Sequence, residues 1–483
     1  MQKLAQRLFG NFRARYIPLL MVYFAYGASG FSSIAESFWV KEELKLSVVA
    51  LAVIGFWVGI PWTIKMIFGQ CVDSIRIFGS GRRIYIFFGA SLLIAGQLIL
   101  IGLASKMPWL LQFGSPEKLF FLAAILSVLG FVIQDVVADA MSTEVVERKN
   151  PDGTPRDENA INAELTQVQW LGRVALMTAG MAVAGLGGWL AQVLSYPQMF
   201  TIALFVPILS VTGAICVRLN PIPRSPINWK ILGGGLLFGA LVVALNLSDI
   251  AGAEEIVFVV SLCVIAGLIW QVGIQWSLAL AAIAIFMFRA TPGTGAGVGW
   301  WMIDVLGFDK AFQGTLSQIG SLLALAGLFL FRKYITERPV AFTLTWLTIA
   351  GAILSLPTIG LFYGVHDWLG VSARTVALVD TTISAPLGML SMIPLLALIA
   401  RTCPEGKAGT WFALMASLMN LALSASALGT KYLNQMFPVE RGDYHNVGLL
   451  LIISWSIGLV VPLVAIYFFL RKFKMPSAIQ MTA

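Results

Sequence analysis

The chain has 483 residues, 58% of them hydrophobic and 12% charged, with a mean hydropathy of +0.85. A soluble domain carries about 25% charged residues, so this composition excludes a water-covered globule and fits a helical membrane protein of many spans. The net charge of +8 lies in short loops, where it sets membrane orientation, and gives no indication of a nucleic-acid partner.

Lys3, Arg7, Arg13 and Arg15 precede the first apolar run. That run is too long for a signal-peptide core and has no clear cleavage site, so it reads as a retained helix. Apolar runs fall at 17–39, 48–70, 84–105, 118–141, 161–187 and 197–218, each of membrane-spanning length. Pro221, Pro223 and Pro226 then break the pattern, since none of them continues a helix. Eight runs follow: 231–247, 256–273, 276–303, 311–331, 339–363, 376–400, 408–430 and 447–470. The predicted fold is an all-α polytopic membrane protein with 12–14 transmembrane helices. Six helices fill an N-terminal half, 1–218, and six a C-terminal half, 276–483. The linker 219–275 carries an inserted helical hairpin, which either spans or lies in the interface; its length favours spanning. Cys71, Cys216, Cys263 and Cys403 sit in or beside apolar runs without metal-like spacing and read as packing thiols. No metal or cofactor is implied.

Loop charge predicts the topology. Arg76, Arg82 and Arg83, then Arg224 and Lys230, then Arg332, Lys333 and Arg338, then Arg401 and Lys407, all fall on the side of the N-terminus. Arg471, Lys472 and Lys474 at the C-terminal end join them, whereas 41–46 is balanced and 249–255 acidic. Both termini are therefore expected in the cytoplasm. Six spans, a break and six spans resemble the plan of the major facilitator superfamily, whose halves rock about a midplane site.

An ionisable group at the centre of a span costs about 2.5–3.5 kcal/mol on insertion scales. Those within or near runs are Glu36, Lys65, Asp135, Asp139, Arg173, Arg289, Asp304 and Asp380. Glu36 reads as interfacial, and Asp304 and Asp380 as markers of helix ends. Lys65 either snorkels to the cytoplasmic face or binds an anion or an aspartate. Asp135 and Asp139 share one helical face, and two like charges there disfavour joint ionisation, which suits a proton-coupled step. Arg173 cannot discharge and must meet an acid or an anionic ligand. Arg289 precedes Pro292-Gly293 and predicts a discontinuous helix with freed backbone groups beside a substrate anion. In the loop 71–83, Asp73 flanked by Arg82 and Arg83 has the makings of a salt-bridge gate, to which Asp139 can also belong. His366 and His445 fall in outer loops and read as solvated.

Ordered motifs carry a resemblance. They are Tyr23-Phe24 and Gly30-Phe31-Ser32, Ser37-Phe38-Trp39-Val40-Lys41-Glu42-Glu43-Leu44, Gly59-Ile60-Pro61-Trp62-Thr63-Ile64-Lys65, and Gly69 to Asp73 with Arg82-Arg83-Ile84-Tyr85. Further along come Asp135 to Ala140, Ala290-Thr291-Pro292, and Cys403-Pro404-Glu405-Gly406 leading to Phe412 through Ser417. Over most of its length the chain resembles the folate–biopterin transporters of the major facilitator superfamily. The resemblance implies a monomeric secondary carrier in the lipid bilayer of a bacterial inner (plasma) membrane or a plastid. It implies proton-coupled symport of a folate- or pterin-like organic anion, and the residues themselves give Lys65, Asp135, Arg173 and Arg289 as the expected substrate contacts. A permease for a muropeptide-like or CoA-like anion is an alternative, as is a non-transporting membrane assembly factor. An enzyme is not expected: no nucleophile–base pair, metal cluster or phosphate loop is present in the sequence.

Overall fold

A computed structural model describes residues 12–470 apart from 80, 151, 153, 221–225, 249, 272–275, 389 and 402–407. The first run is helical from Ala14 to Leu44, comprising α1 (Ile17–Gly27), a 3-10 segment Ala28–Ser32, α2 (Ser33–Trp39) and a π turn Val40–Leu44. The second is divided into α3 (Val48–Thr63) and α4 (Lys65–Ser74). Next come α5 (Arg83–Ala104), α6 (Pro116–Glu144), α7 (Glu158–Val193), α8 (Tyr196–Ile202) and α9 (Phe205–Cys216). Starts are set locally. The Ser115 hydroxyl accepts from the Lys118 N–H with Pro116 at the first helical position, and the Asp157 carboxylate accepts from the Ala160 N–H.

The linker region contains α10 (Trp229–Leu247) and α11 (Ala253–Gln271), and both are long and apolar enough to span. The remaining helices are α12 (Trp276–Arg289), α13 (Ala296–Asp304), α14 (Lys310–Glu337), α15 (Val340–Leu354), α16 (Leu356–Phe362), α17 (Val365–Trp368), α18 (Ala373–Gly388), α19 (Met392–Arg401), α20 (Ala408–Met436) and α21 (Val447–Ala465). Among the described residues twelve continuous helical segments can cross a membrane by length and apolarity. The runs at 276–303 and 376–400 are interrupted instead, as α12/α13 and α18/α19. The described residues form the all-α, many-spanning architecture expected from the sequence, with the inserted hairpin.

By their contacts the helices form two compact units. One comprises the chain up to Leu44 together with Lys65–Phe238, the other Lys45–Ile64 together with the chain from Gly239. In the first, α1 packs on α7 and α9, and α5 on α6, around Tyr16, Leu19, Tyr23, Val137, Met141 and Val168. The α1–α7 approach is so close that a Cβ on Gly27 would stand 2.1 Å from the Leu176 carbonyl oxygen; small residues allow such contact where lipid supplies no hydrophobic drive. In the second unit α3 lies along α20 and α14 along α18, over a core of Ala281, Ile285, Leu398, Trp411, Met415 and Leu421.

Candidate functional site

The first unit gathers charged side chains from three helices. Pro61 inside α3 removes a backbone donor and crowds the preceding turn. Ile64 leaves the helical region (φ −106°, ψ 19°), and α4 restarts at Lys65. The Lys65 ammonium bonds the Asp135 carboxylate on α6 and lies 3.5 Å from Asp139, one turn further along. The spacing of the two acids puts both within reach of one cation, as the shared helical face requires. Asp139 also accepts the Tyr23 hydroxyl at 3.0 Å and lies 4.0 Å from Arg173 on α7. Two cations therefore face two carboxylates and the cluster is formally neutral, which lowers the cost of holding charge at this depth. Its members differ in freedom. The Asp135 side chain is 6% exposed and tied to Lys65, whereas the Arg173 side chain is 54% exposed. Among the described residues that guanidinium has only its long pair with Asp139.

A second cluster closes the turn between α4 and α5. Arg82 pairs with Asp73 at 2.9 Å and Glu144 at 2.7 Å and donates to the Val72 carbonyl at 2.6 Å. Glu144 is a member that the sequence reading missed. It sits at the end of α6, beyond the apolar run, and its carbonyl accepts from Asn220. Two corrections follow. Asp73 belongs to the last turn of α4, so the polar loop begins only at Ile75. Arg83 does not pair with Asp73 or Asp139; it donates to the Val217 carbonyl at 2.7 Å, because its helical position turns it toward the end of α9. Asp139 joins Lys65 and Arg173 instead of the turn.

In the second unit Arg289 is the last residue of α12, where a cation faces the negative helix end. Residues 290–295 are not helical, and Gly295 takes φ +77°, a conformation that side-chain-bearing residues rarely adopt. The freed backbone groups are met by α20. The Ser426 hydroxyl donates to the Thr291 carbonyl at 2.7 Å, the Thr430 hydroxyl accepts from the Gly293 N–H at 2.9 Å, and the Asn434 amide donates to the Thr294 carbonyl at 3.2 Å. The expected discontinuous helix is present, held by neutral side chains that sequence reasoning did not single out. Asp304 ends α13, as expected, and its carboxylate accepts the Tyr444 hydroxyl. Asp380 does not mark a helix end; it lies in mid-helix on α18. His366 is largely covered, with a side chain 16% exposed, contrary to the solvated reading. Lys407 and the motif at 403–406 lie outside the described residues. Among the described residues no group of three or more His, Cys, Asp or Glu side chains has the arrangement of a metal site.

The BT1 family model matches residues 26–474. A folate-biopterin transporter from Synechocystis sp. is 27% identical over 448 residues, covering 92% of this chain and 80% of that one. A probable folate-biopterin transporter from Arabidopsis thaliana is 24% identical, covering 88% and 89%. Among solved structures, a POT family transporter in complex with 5-aminolevulinic acid superposes with a TM-score of 0.67 at 12% identity, over 95% of this chain and 96% of that one; this likeness concerns the fold alone. The chain belongs to the BT1 family, and it is a multi-pass membrane transporter, not an enzyme.

Proposed function

We propose that the protein carries a folate- or pterin-like organic anion by alternating access, coupled to protons, as a monomer with both termini in the cytoplasm. The observation that carries this reading is the state of Arg173, half-exposed beside a neutralised Lys65–Asp135–Asp139 cluster and held by a single pair of 4.0 Å. A guanidinium in that condition keeps donors for a carboxylate ligand. Neutralising Asp139 takes away the pair of Arg173 and leaves the cluster one positive charge for an anion, while Lys65 stays on Asp135. Anion binding and proton binding at such a cluster favour each other reciprocally. Arg289 supplies a further cation beside the α12 break. The Asp73–Arg82 pair, with Arg83 next to it, is the gate element, and the functional halves are 1–218 and 276–483 about the 219–275 insert. The relatives named as folate or folate-biopterin transporters support the substrate class.

The test is uptake of labelled folate and of a simple pterin into proteoliposomes, with pH gradients of either sign. Wild type should accumulate at least one of them in a gradient-dependent way. Arg173→Ala should lower uptake at least tenfold, and Asp139→Asn should leave uptake that no longer responds to the gradient. Absence of uptake by monodisperse wild-type protein would remove this substrate class and turn attention to muropeptide-like or CoA-like anions and to an assembly role.

A further inference from the structure

The second unit carries a half-open cavity of about 620 Å³ beside the α12 break, with Thr291 among its lining residues. Its volume lies within the range of small-molecule sites, roughly 300–1,000 Å³. Asp380, Thr358, Ser384 and Ser454 supply its polar wall, and Phe288 and Trp455 its aromatic one. Three features mark it as a binding site and not a packing defect. First, Asp380 is a half-buried carboxylate in the middle of α18 whose one hydrogen bond among the described residues comes from the Thr358 hydroxyl at 3.4 Å. A carboxylate has about four acceptor positions, so a single long hydrogen bond leaves most of them open to a ligand. Second, the Ser454 hydroxyl oxygen is buried and has no hydrogen-bond partner among the described residues. Third, the Trp455 indole N–H donates to the Ala352 carbonyl at 2.8 Å, which fixes the ring as a platform.

The chemistry of the wall narrows the ligand. Among the described residues that line it there is no Lys, Arg or His, so it does not suit a carboxylate or a phosphate. It suits a flat, uncharged ring whose edge donates to a carboxylate. A bare cation would need far less room and no aromatic wall. We propose that the Asp380 cavity binds the 2-amino-4-oxopyrimidine edge of a pterin ring, with Asp380 accepting from the ring N–H and the exocyclic amino group and thereby setting substrate specificity. Two parallel N–H donors against two carboxylate oxygens form the same fork-to-fork pairing that makes Arg–carboxylate contacts selective. This proposal rests on the pterin-class reading above.

The experiment measures binding of four compounds to detergent-purified full-length protein by calorimetry: folate, pterin, lumazine (oxygen in place of the 2-amino group) and p-aminobenzoylglutamate (the tail without the ring). Wild type should bind pterin at least tenfold more tightly than lumazine, because the analogue leaves the buried carboxylate unmatched. Asp380→Asn should weaken pterin binding about tenfold or more and erase that preference, with p-aminobenzoylglutamate binding unchanged. Asp380→Glu, which retains the two oxygens, should keep part of the preference. The wild-type comparison of pterin with lumazine decides the matter even if a variant folds poorly. Equal wild-type affinity for the two, a preference that survives Asp380→Asn, or sodium binding lost in Asp380→Asn without effect on pterin would overturn the proposal. If folate and p-aminobenzoylglutamate bind without ring discrimination, only this proposal falls; if none of the four binds, the pterin-class reading falls with it.

Discussion

Two polar features, the Lys65 cluster of the first unit and the α12 break of the second, are stabilised in different ways, although the second unit also carries ion pairs of its own at Lys431 with Glu254 and Glu255. The first collects ionised side chains and cancels them: Lys65 and Arg173 against Asp135 and Asp139, and Arg82 against Asp73 and Glu144. The second interrupts a helix and satisfies the loose backbone with neutral groups of α20, leaving Asp380 without an ionic partner among the described residues. Charge pairs respond to protons and anions, so the first unit is the place where the proposed coupling of a charged ligand to a proton can be tested. Hydroxyl–carbonyl bonds do not titrate, so the α12 break keeps its hydrogen bonds whatever the pH. The difference teaches that an apolar solvent can be answered either by compensation or by saturation, and that only compensation leaves groups a ligand can displace.

The comparison can be broken most forcefully at Arg82. Arg82→Met strips two carboxylates and one carbonyl of their partner, and the Glu144 side chain is only 8% exposed. Unfolding in detergent should show a loss of about 3–5 kcal/mol, the usual cost of orphaning a buried ion. A change within error would mean that the turn cluster is ornamental. At Lys65 and Asp135 a double-mutant cycle, Lys65→Met with Asp135→Leu, should return a coupling of about 1–3 kcal/mol, with the double variant less damaged than either single one. Additive losses would show that the two charges do not compensate each other.

The neutral contacts of the break should yield less per group. Ser426→Ala and Thr430→Val each remove one partner of the 290–295 backbone and should cost about 1–3 kcal/mol. Those losses should be flat between pH 5 and 8, measured by the same unfolding assay. A pH-dependent loss would place a titrating group in the break and blur the contrast. The smallest effect is expected at Asp309, which caps α14 outside the span. The Phe312 N–H, followed by the Arg374 guanidinium, holds its carboxyl below the usual carboxylate range. A depressed folded-state value means stability present above the unfolded carboxylate range and lost as pH falls through the folded one. Asp309→Ala should therefore cost about 0.5–2 kcal/mol at pH 7, and the gap to wild type should close under strongly acidic conditions.

Much of the architecture was legible in the chain. Apolar length is a local property, and the bilayer sets how much of it a span needs. The Asp135–Asp139 spacing guaranteed one face, and Arg289 before Pro292-Gly293 announced the break, because helical periodicity and the missing proline donor are local as well. Glu144 and Asn220 were not legible as partners of the turn. Each lies just past an apolar run, and only the packing of α4, α5 and α6 brings them to it. Arg83 was misread for the same reason: it opens α5 while Arg82 caps it, and only packing against the end of α9 brings the Val217 carbonyl to its guanidinium. Asp380 was taken for a helix end because nothing in its neighbours shows where α18 begins.

The sequence by itself determined the membrane class, the number of apolar runs and the inventory of charges. Each follows from the free energy of placing one segment in lipid, a sum over neighbouring residues. Tertiary structure alone decided which charges cancel, which keep a free edge, and that the second half carries a largely apolar cavity with Asp380 in its wall. Those outcomes depend on the rotation of each helix about its own axis. That rotation is set by contacts between residues far apart in the chain, such as Gly27 against Leu176 and α14 against α18.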